Sequence, residues 1–333
     1  MSMFRVYVFT ILVLLSSCFS DSCRDAPNVP LSGKTPSLER LDIELFSEGR
    51  ELNKTLAFLE NNPQISRFML LSDQYPELSI LARKVNGLIN DPYIDTLYRQ
   101  SVQSFETEEA VFLDKLSVGL DYLQFYFPEA KRPKIQTIVT GLFQDLYISD
   151  SLIVIGIDFF IGEETKYKPV EIPDYIFKRY NYNYLPSTIM GYLTLDYVKE
   201  GSENSLLSEM IDFGKIYYLN AALLPCVPEH EIIGFTEEEM KDVYKFQEII
   251  WASLIENEVL YETSDFTKKK FLGERPSVYE IGEKCPGRVG AWVGWQIVNS
   301  FMDKQNMEMR EMLAFENHHK LFESSGYKPK KNQ

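Results

Sequence analysis

The chain has three histidines, His230, His318 and His319, and their spacing limits the metal chemistry open to it. A zinc peptidase needs two His one helical turn apart with a Glu beside the first, as in HExxH. No such pattern occurs. His318 and His319 are adjacent, so on a helix they point about 100° apart and do not converge on one ion. His230 precedes Glu231 among Pro225, Pro228 and Gly234, a loop-like composition. A serine nucleophile would call for a G-x-S-x-G elbow, and a phosphate site for a glycine-rich loop; neither is present. No catalytic residue, metal ligand or cofactor is therefore assigned. Among the many carboxylates, Asp158 ends the apolar run SLIVIGIDFF and is a candidate polar site residue, against the blander reading of a strand-end turn. Glu256 and Glu258 close the apolar stretch 249–260; a solvated helix end is the default for them.

The four cysteines divide by position. Met1 to Ser17 carries Arg5 and then an apolar run over 6–15, the length of an export signal and short for a membrane span. It ends Leu15-Ser16-Ser17-Cys18, which resembles a lipobox, with Cys18 as the lipid-bearing new N-terminus. Residues 18–37, rich in Ser, Pro and Gly and containing Cys23, read as a flexible tether. That leaves Cys226 and Cys285 as a possible disulfide in an oxidising compartment. Phe19 rather than Asp follows Cys18, which favours the outer over the inner membrane.

Residues 38–330 have the size of a single domain. Leu41, Ile43 and Leu45 alternate with acids in a strand pattern. IQTIVT (135–140) and SLIVIGIDFF (151–160) are β-branched and predict a hairpin over 133–160. Helices are predicted over 48–61, 63–71, 79–88, 91–103, 107–126, 187–200, 204–223, 236–258 and 304–322, the one from Thr236 opened by a Thr236/Glu239 capping box. Pro286 is expected to open a further helix in which Val289, Val293, Ile297 and Phe301 stack on one face and Trp292, Trp295 and Val298 cover the next. A helix apolar nearly all round belongs in the middle of a protein, and Gly290 and Gly294 would let another element approach its backbone closely. The fold class is thus α+β, helix-rich, with a small β-sheet. Tyr167, Tyr175, Tyr180, Tyr182 and Tyr184 offer either a sticky surface or a core rim, and the rim is favoured because Tyr is commonly half-buried.

The net charge of −15 becomes −16 once the signal, which holds one Arg and no acid, is removed. Such a surface excludes nucleic acid, whose phosphates need a basic footprint.

An ordered set of phrases resembles one family. They are RLDIELF (40–46), YFP (126–128) followed by 137–141, IGIDFFIG (155–162), MIDFGKIYYL (210–219), LP (224–225), IGFT (233–236), Asn257-Glu258 with Leu260-Tyr261, and PGRVGAWVGWQIV (286–298). With the lipobox they resemble the gliding motility lipoprotein GldB family of the Bacteroidota. The resemblance implies an envelope lipoprotein, anchored on Cys18 and facing the periplasm, whose partners are protein components of the gliding or type IX secretion machinery. The family is also distantly similar to HExxH zinc peptidases. The stretch 210–219 matches their metal helix but holds Gly214-Lys215 and no His, which implies a degenerate zincin-like scaffold and no enzyme. Lys215, Tyr218 and Trp295 then join Asp158, Glu256 and Glu258 as candidate residues of a pocket or partner contact. The alternative is an envelope hydrolase working through carboxylates such as Asp158, Glu256 or Glu258.

Cys18→Ala is expected to accumulate as unprocessed precursor and to lose metabolic lipid labelling; unchanged labelling would remove the anchor.

Overall fold

The computed structural model describes residues 23–330 apart from 49 and 164. The signal segment and Cys18 lie outside the described residues.

Four strands form one mixed sheet: β1 (Leu38–Arg40), β2 (Lys134–Ile138), β3 (Leu146–Ile148) and β4 (Leu152–Gly156), in the order β1-β2-β4-β3. β4 is LIVIG, buried at every residue. A continuous β-branched run of this kind suits a strand covered on both faces. The expected hairpin is corrected in its direction. β2 and β4 pair in parallel, and the antiparallel partner of β4 is β3, from the segment between them. Gly156 makes this closure possible, because a Cβ there would sit 2.3 Å from the Gln144 carbonyl oxygen.

Helices supply the rest: α1 (Leu41–Glu48), α2 (Leu52–Asn61), α3 (Leu78–Ile89), α4 (Pro92–Tyr126), α5 (Asp174–Phe177), α6 (Leu185–Leu193), α7 (Leu206–Leu223), α8 (Glu229–Ile233), α9 (Glu237–Lys245), α10 (Gln247–Glu256), α11 (Asp265–Leu272), α12 (Val289–Lys304), α13 (Met309–Leu313) and α14 (His318–Ser325). The alternation over 41–45 does not make a strand. Leu41 and Leu45 are also four apart, and as α1 they turn inward with Asp42 and Phe46 while Ile43 is exposed. The two helices expected over 91–126 are one, since Pro92 occupies only the first turn and no later Pro interrupts the run. The helix from Thr236 keeps its capping box but breaks at Phe246 into α9 and α10. The run 304–322 breaks likewise, into α13 and α14.

At the centre lie α7 and α12. Pro286 does not open α12. Arg288 takes a left-handed φ of 59° and the helix begins at Val289. The Arg288 guanidinium is held by the carbonyls of Ile233 (2.8 Å) and Gly234 (2.9 Å) and by Glu274 (3.0 Å), which fixes the chain direction there. From Val289 to Val298 every residue but Gln296 is buried. Gly294 and Gly214 face each other across the crossing. A Cβ on Gly294 would lie 1.6 Å from the Met210 carbonyl oxygen, and one on Gly214 would lie 2.3 Å from that of Gly294. The expected close approach is therefore real, with α7 as the approaching element.

Residues 23–37 are not a free tether. They form a strap on the body, beginning with a disulfide between Cys23 and Cys226. Cys226 is therefore not bridged to Cys285, the pairing that the sequence left possible; Cys285 is a buried free thiol whose pKa burial pushes up to about 12. Closing a loop of 203 residues is worth about 5 kcal/mol in the chain-entropy account. Arg24 donates to the carbonyls of Leu224 (2.6 Å) and Ala221 (3.3 Å) at the end of α7. Farther on, the Pro27 carbonyl accepts from the Tyr122 hydroxyl, Val29 is buried, and the Ser32 amide donates to Asp121 on α4.

Gly294→Ala is expected to lower unfolding free energy by about 3 kcal/mol or more, because backbone and not a flexible side chain stands in the way. Gly87→Ala in α3 meets nothing within 4 Å and should be neutral or stabilising by up to about 1 kcal/mol. Urea unfolding of both variants checks the contrast; equal effects would contradict the close crossing.

Candidate functional site

On the face of α7 away from its apolar contacts, Ser208, Asp212 and Lys215 follow one another at helical spacing. Ser205 caps the helix, accepting from the Ser208 amide at 3.2 Å. Lys215 is completely buried, and its Nζ donates to the carbonyls of Lys199 (2.9 Å) and Phe315 (2.7 Å). This lysine therefore ties two distant loops to one helix. Burial lowers its pKa to about 8, opposed by the carboxylates of Asp212 and Glu316.

Beside it stands His318, 1% exposed, from the first turn of α14. Its Nδ1 lies 3.0 Å from the Ser208 carbonyl oxygen and 2.9 Å from the Ser208 hydroxyl. A carbonyl only accepts, so Nδ1 carries the proton. Nε2 is then a bare lone pair with no hydrogen-bond partner, facing an Asp212 carboxylate oxygen at 3.6 Å. Burial, then Lys215, lowers the His318 pKa to about 4. Burial raises that of Asp212 to about 7, opposed by Lys215 and the Gly201 amide and reinforced by Glu200 and Glu209. A proton on Asp212 puts a donor toward the lone pair and spares a poorly solvated charge.

Serine, histidine and aspartate in a row suggest a nucleophilic triad, but the chemistry does not follow. The nitrogen facing Ser208 is the proton-bearing one, so it cannot take the hydroxyl proton. Ser208 is 1% exposed, and Gly201 packs so tightly over it that a Cβ there would lie 2.1 Å from Oγ and 2.3 Å from His318 Nδ1. The cluster is a structural lock, and Asp212 is its link to the outside.

Outside Asp212 opens a cleft of about 710 Å³. Its acidic lining is Asp196, Glu200, Glu203, Glu209 and Asp212, and its apolar lining includes Leu195, Phe213 and Ile216; it contains no Lys, Arg or His. Glu209 is paired with Lys268 at 2.5 Å. Asp196, Glu200 and Glu203 make no ion pair among the described residues and are exposed.

Of the residues singled out from the sequence, only Lys215 belongs to this cluster. Asp158 is buried just past the C-terminal end of β4. It accepts from the amides of Leu142 (2.6 Å) and Thr140 (3.2 Å), pinning a loop in which Gly141 and Leu142 both have positive φ. Burial raises its pKa to about 6 against those amide hydrogen bonds. Glu256 and Glu258 are exposed at the end of α10, the solvated helix end that was the default. Trp295 is buried in α12 beside the ring of Tyr217, 5.9 Å away, and Tyr218 is half-buried. These residues do not converge on one pocket. Ser208, Asp212 and the cleft acids were missed, and His318 was weighed only as a metal ligand. The first two carried a signal, as polar residues a turn apart in an otherwise apolar helix.

Among the described residues no group of His, Cys, Asp and Glu is arranged to hold a metal, and no helix is long and apolar enough to cross a membrane. The family profile of the gliding motility protein GldB, a lipoprotein family, matches residues 23–329. The chain belongs to the GldB family. No curated protein and no solved structure is a match for it. The helix-rich body and small mixed sheet agree with the α+β class expected for it.

The Asp212 carboxyl, whose pKa is raised from 3.8 to about 7, adds stability that is full below about pH 4 and lost as pH rises through about 7. His318, lowered from 6.5 to about 4, works in the opposite sense over about pH 4–6.5. Asp212→Asn removes only the first contribution. The variant should therefore gain on wild type by roughly 2 kcal/mol between pH 5 and pH 8 in urea unfolding. A difference independent of pH would contradict the assignment.

Proposed function

We propose that this chain is a non-enzymatic binding component of the gliding and type IX secretion apparatus. It is held to the periplasmic face of the envelope through acylated Cys18, with the outer membrane favoured by the residue that follows. The cleft beside Asp212 receives a cationic, partly aliphatic stretch of a partner protein. The observation that carries this reading is the cleft lining, where Asp196, Glu200 and Glu203, which make no ion pair among the described residues, stand beside apolar side chains. Its volume is in the range of binding pockets, about 300–1,000 Å³. A lysine or arginine side chain offers the aliphatic stem and the charged head that such a lining can accept.

The same helix supports a degenerate peptidase scaffold. It rests on the resemblance of 210–219 to a metal-binding helix, with Gly214-Lys215 and no His in that stretch. The alternative reading, a hydrolase using Asp158, Glu256 or Glu258, has less support. The Asp158 carboxylate is engaged in holding a loop, and the two glutamates stand in solvent.

Glu200→Lys with Glu203→Lys changes two exposed side chains and should leave the fold and protein abundance intact. Spreading of colonies is expected to be lost, and co-purification of a gliding or secretion component to fall at least tenfold. Normal spreading and recovery in that double variant would refute the cleft as the binding site.

A further inference from the structure

The strap changes what a lipid on Cys18 would do. With residues 18–37 free, twenty residues would separate the anchor from β1, a reach of up to about 70 Å. The disulfide shortens this. Cys23 is bonded to Cys226, and the next residue, Arg24, is fixed by its amide to the Pro225 carbonyl (2.9 Å) and by its side chain to Leu224 (2.6 Å). Cys18 and Cys23 are five residues apart in sequence, so the anchor cannot be more than about 18 Å from the disulfide.

The place of attachment also has a direction. The strap crosses α4 near its C-terminal end, where Tyr122 donates to the Pro27 carbonyl at 3.1 Å. The other end of α4 carries the loop after β2, since a Cβ on Gly141 would touch Ile94 at 3.7 Å. From Ile94 to Tyr122 is 28 residues of continuous helix, or about 42 Å. The attachment therefore sits at one end of the long axis of α4, with the 141–143 loop at the other.

We infer that the Cys23–Cys226 disulfide and the Arg24 clamp seat the body end-on against the lipid bilayer, the C-terminal ends of α4 and α7 nearest the phospholipid surface and the 141–143 loop held away from it. The inference rests on the Cys18 anchor proposed above. The strap thus sets both the height and the orientation at which the protein meets its partners.

Energy transfer to a lipid-borne acceptor tests this on the mature acylated protein in phosphatidylethanolamine/phosphatidylglycerol vesicles. A donor amino acid replaces Phe125, 48% exposed and one turn from Tyr122, or Phe143, 69% exposed at the far loop. Transfer from position 125 is expected to be at least twice that from position 143. A Gly/Ser insertion of about fifteen residues between Ser22 and Cys23 leaves the disulfide intact and should bring the ratio close to one. Cys23→Ser with Cys226→Ser and Arg24→Ala should lower the ratio only in part, since Pro27, Val29 and Ser32 still hold the strap to α4, with circular dichroism reporting whether the body is still folded. Equal transfer from both positions in the acylated wild type, or a ratio the insertion does not change, overturns the seating alone. A mature protein whose mass shows no acyl chains on Cys18 overturns the anchor and the seating together.

Discussion

The contact on which the structure depends is the crossing of α7 and α12 at Gly214 and Gly294. Each residue presents hydrogen where any side chain would strike the backbone of the other helix. Two buried helices can then pack at the distance of their main chains, and the tryptophans and valines of α12 fill the space around them. Mid-helix glycine costs about 0.5–1 kcal/mol relative to alanine; dispersion attraction between two closely packed apolar faces offsets that cost. With one face of α7 committed to α12, its polar residues must point elsewhere. They meet the loops around Lys199 and Phe315 and the first turn of α14.

That second face explains how a lysine and a histidine come to be buried. Lys215 has two carbonyl acceptors, and His318 spends its one donor on the Ser208 carbonyl. What stays unsatisfied, the Nε2 lone pair, is directed at the carboxyl that borders the cleft. A buried polar network becomes rigid when its members are paired, and costly where they are not. Here the unpaired point lies buried behind the Asp212 carboxyl, which borders the cleft. The cleft wall is rigid because the cluster behind it is locked, and acidic because the loop 196–203 brings carboxylates without counter-charges.

Much of the core was legible in the letters. The apolar girdle of 289–301 identified a central helix, and its glycines identified a close crossing. The Thr236/Glu239 box marked a helix start that the structure keeps. Other features were not legible, for identifiable reasons. Leu41, Ile43 and Leu45 satisfy both a period of two and a spacing of four, and only the partner surface chooses between them. Strand direction in the sheet depends on β3 folding back beside β4, which no local pattern announces. The partner of Cys226 was missed because the strap is held largely through main-chain carbonyls, which leave no trace in side-chain type. Ser208, Asp212 and Lys215 were readable as a polar stripe; His318, some hundred residues away, became visible only through the fold. The ordered family phrases pointed to GldB, which the family profile bears out, but they did not point to the cleft.

In the function proposed above, the cleft beside Asp212 holds a cationic segment of a partner. The direct measurement is a photo-crosslink in living cells from position 213, where Phe213 lines that cleft and is 38% exposed, with the joined peptide identified by mass spectrometry. A single dominant adduct is expected on a lysine- or arginine-bearing stretch of a gliding or secretion protein, lost when Glu200 and Glu203 are reversed in charge. Absence of any adduct from position 213 in actively gliding cells, or an adduct on an acidic segment, would contradict it.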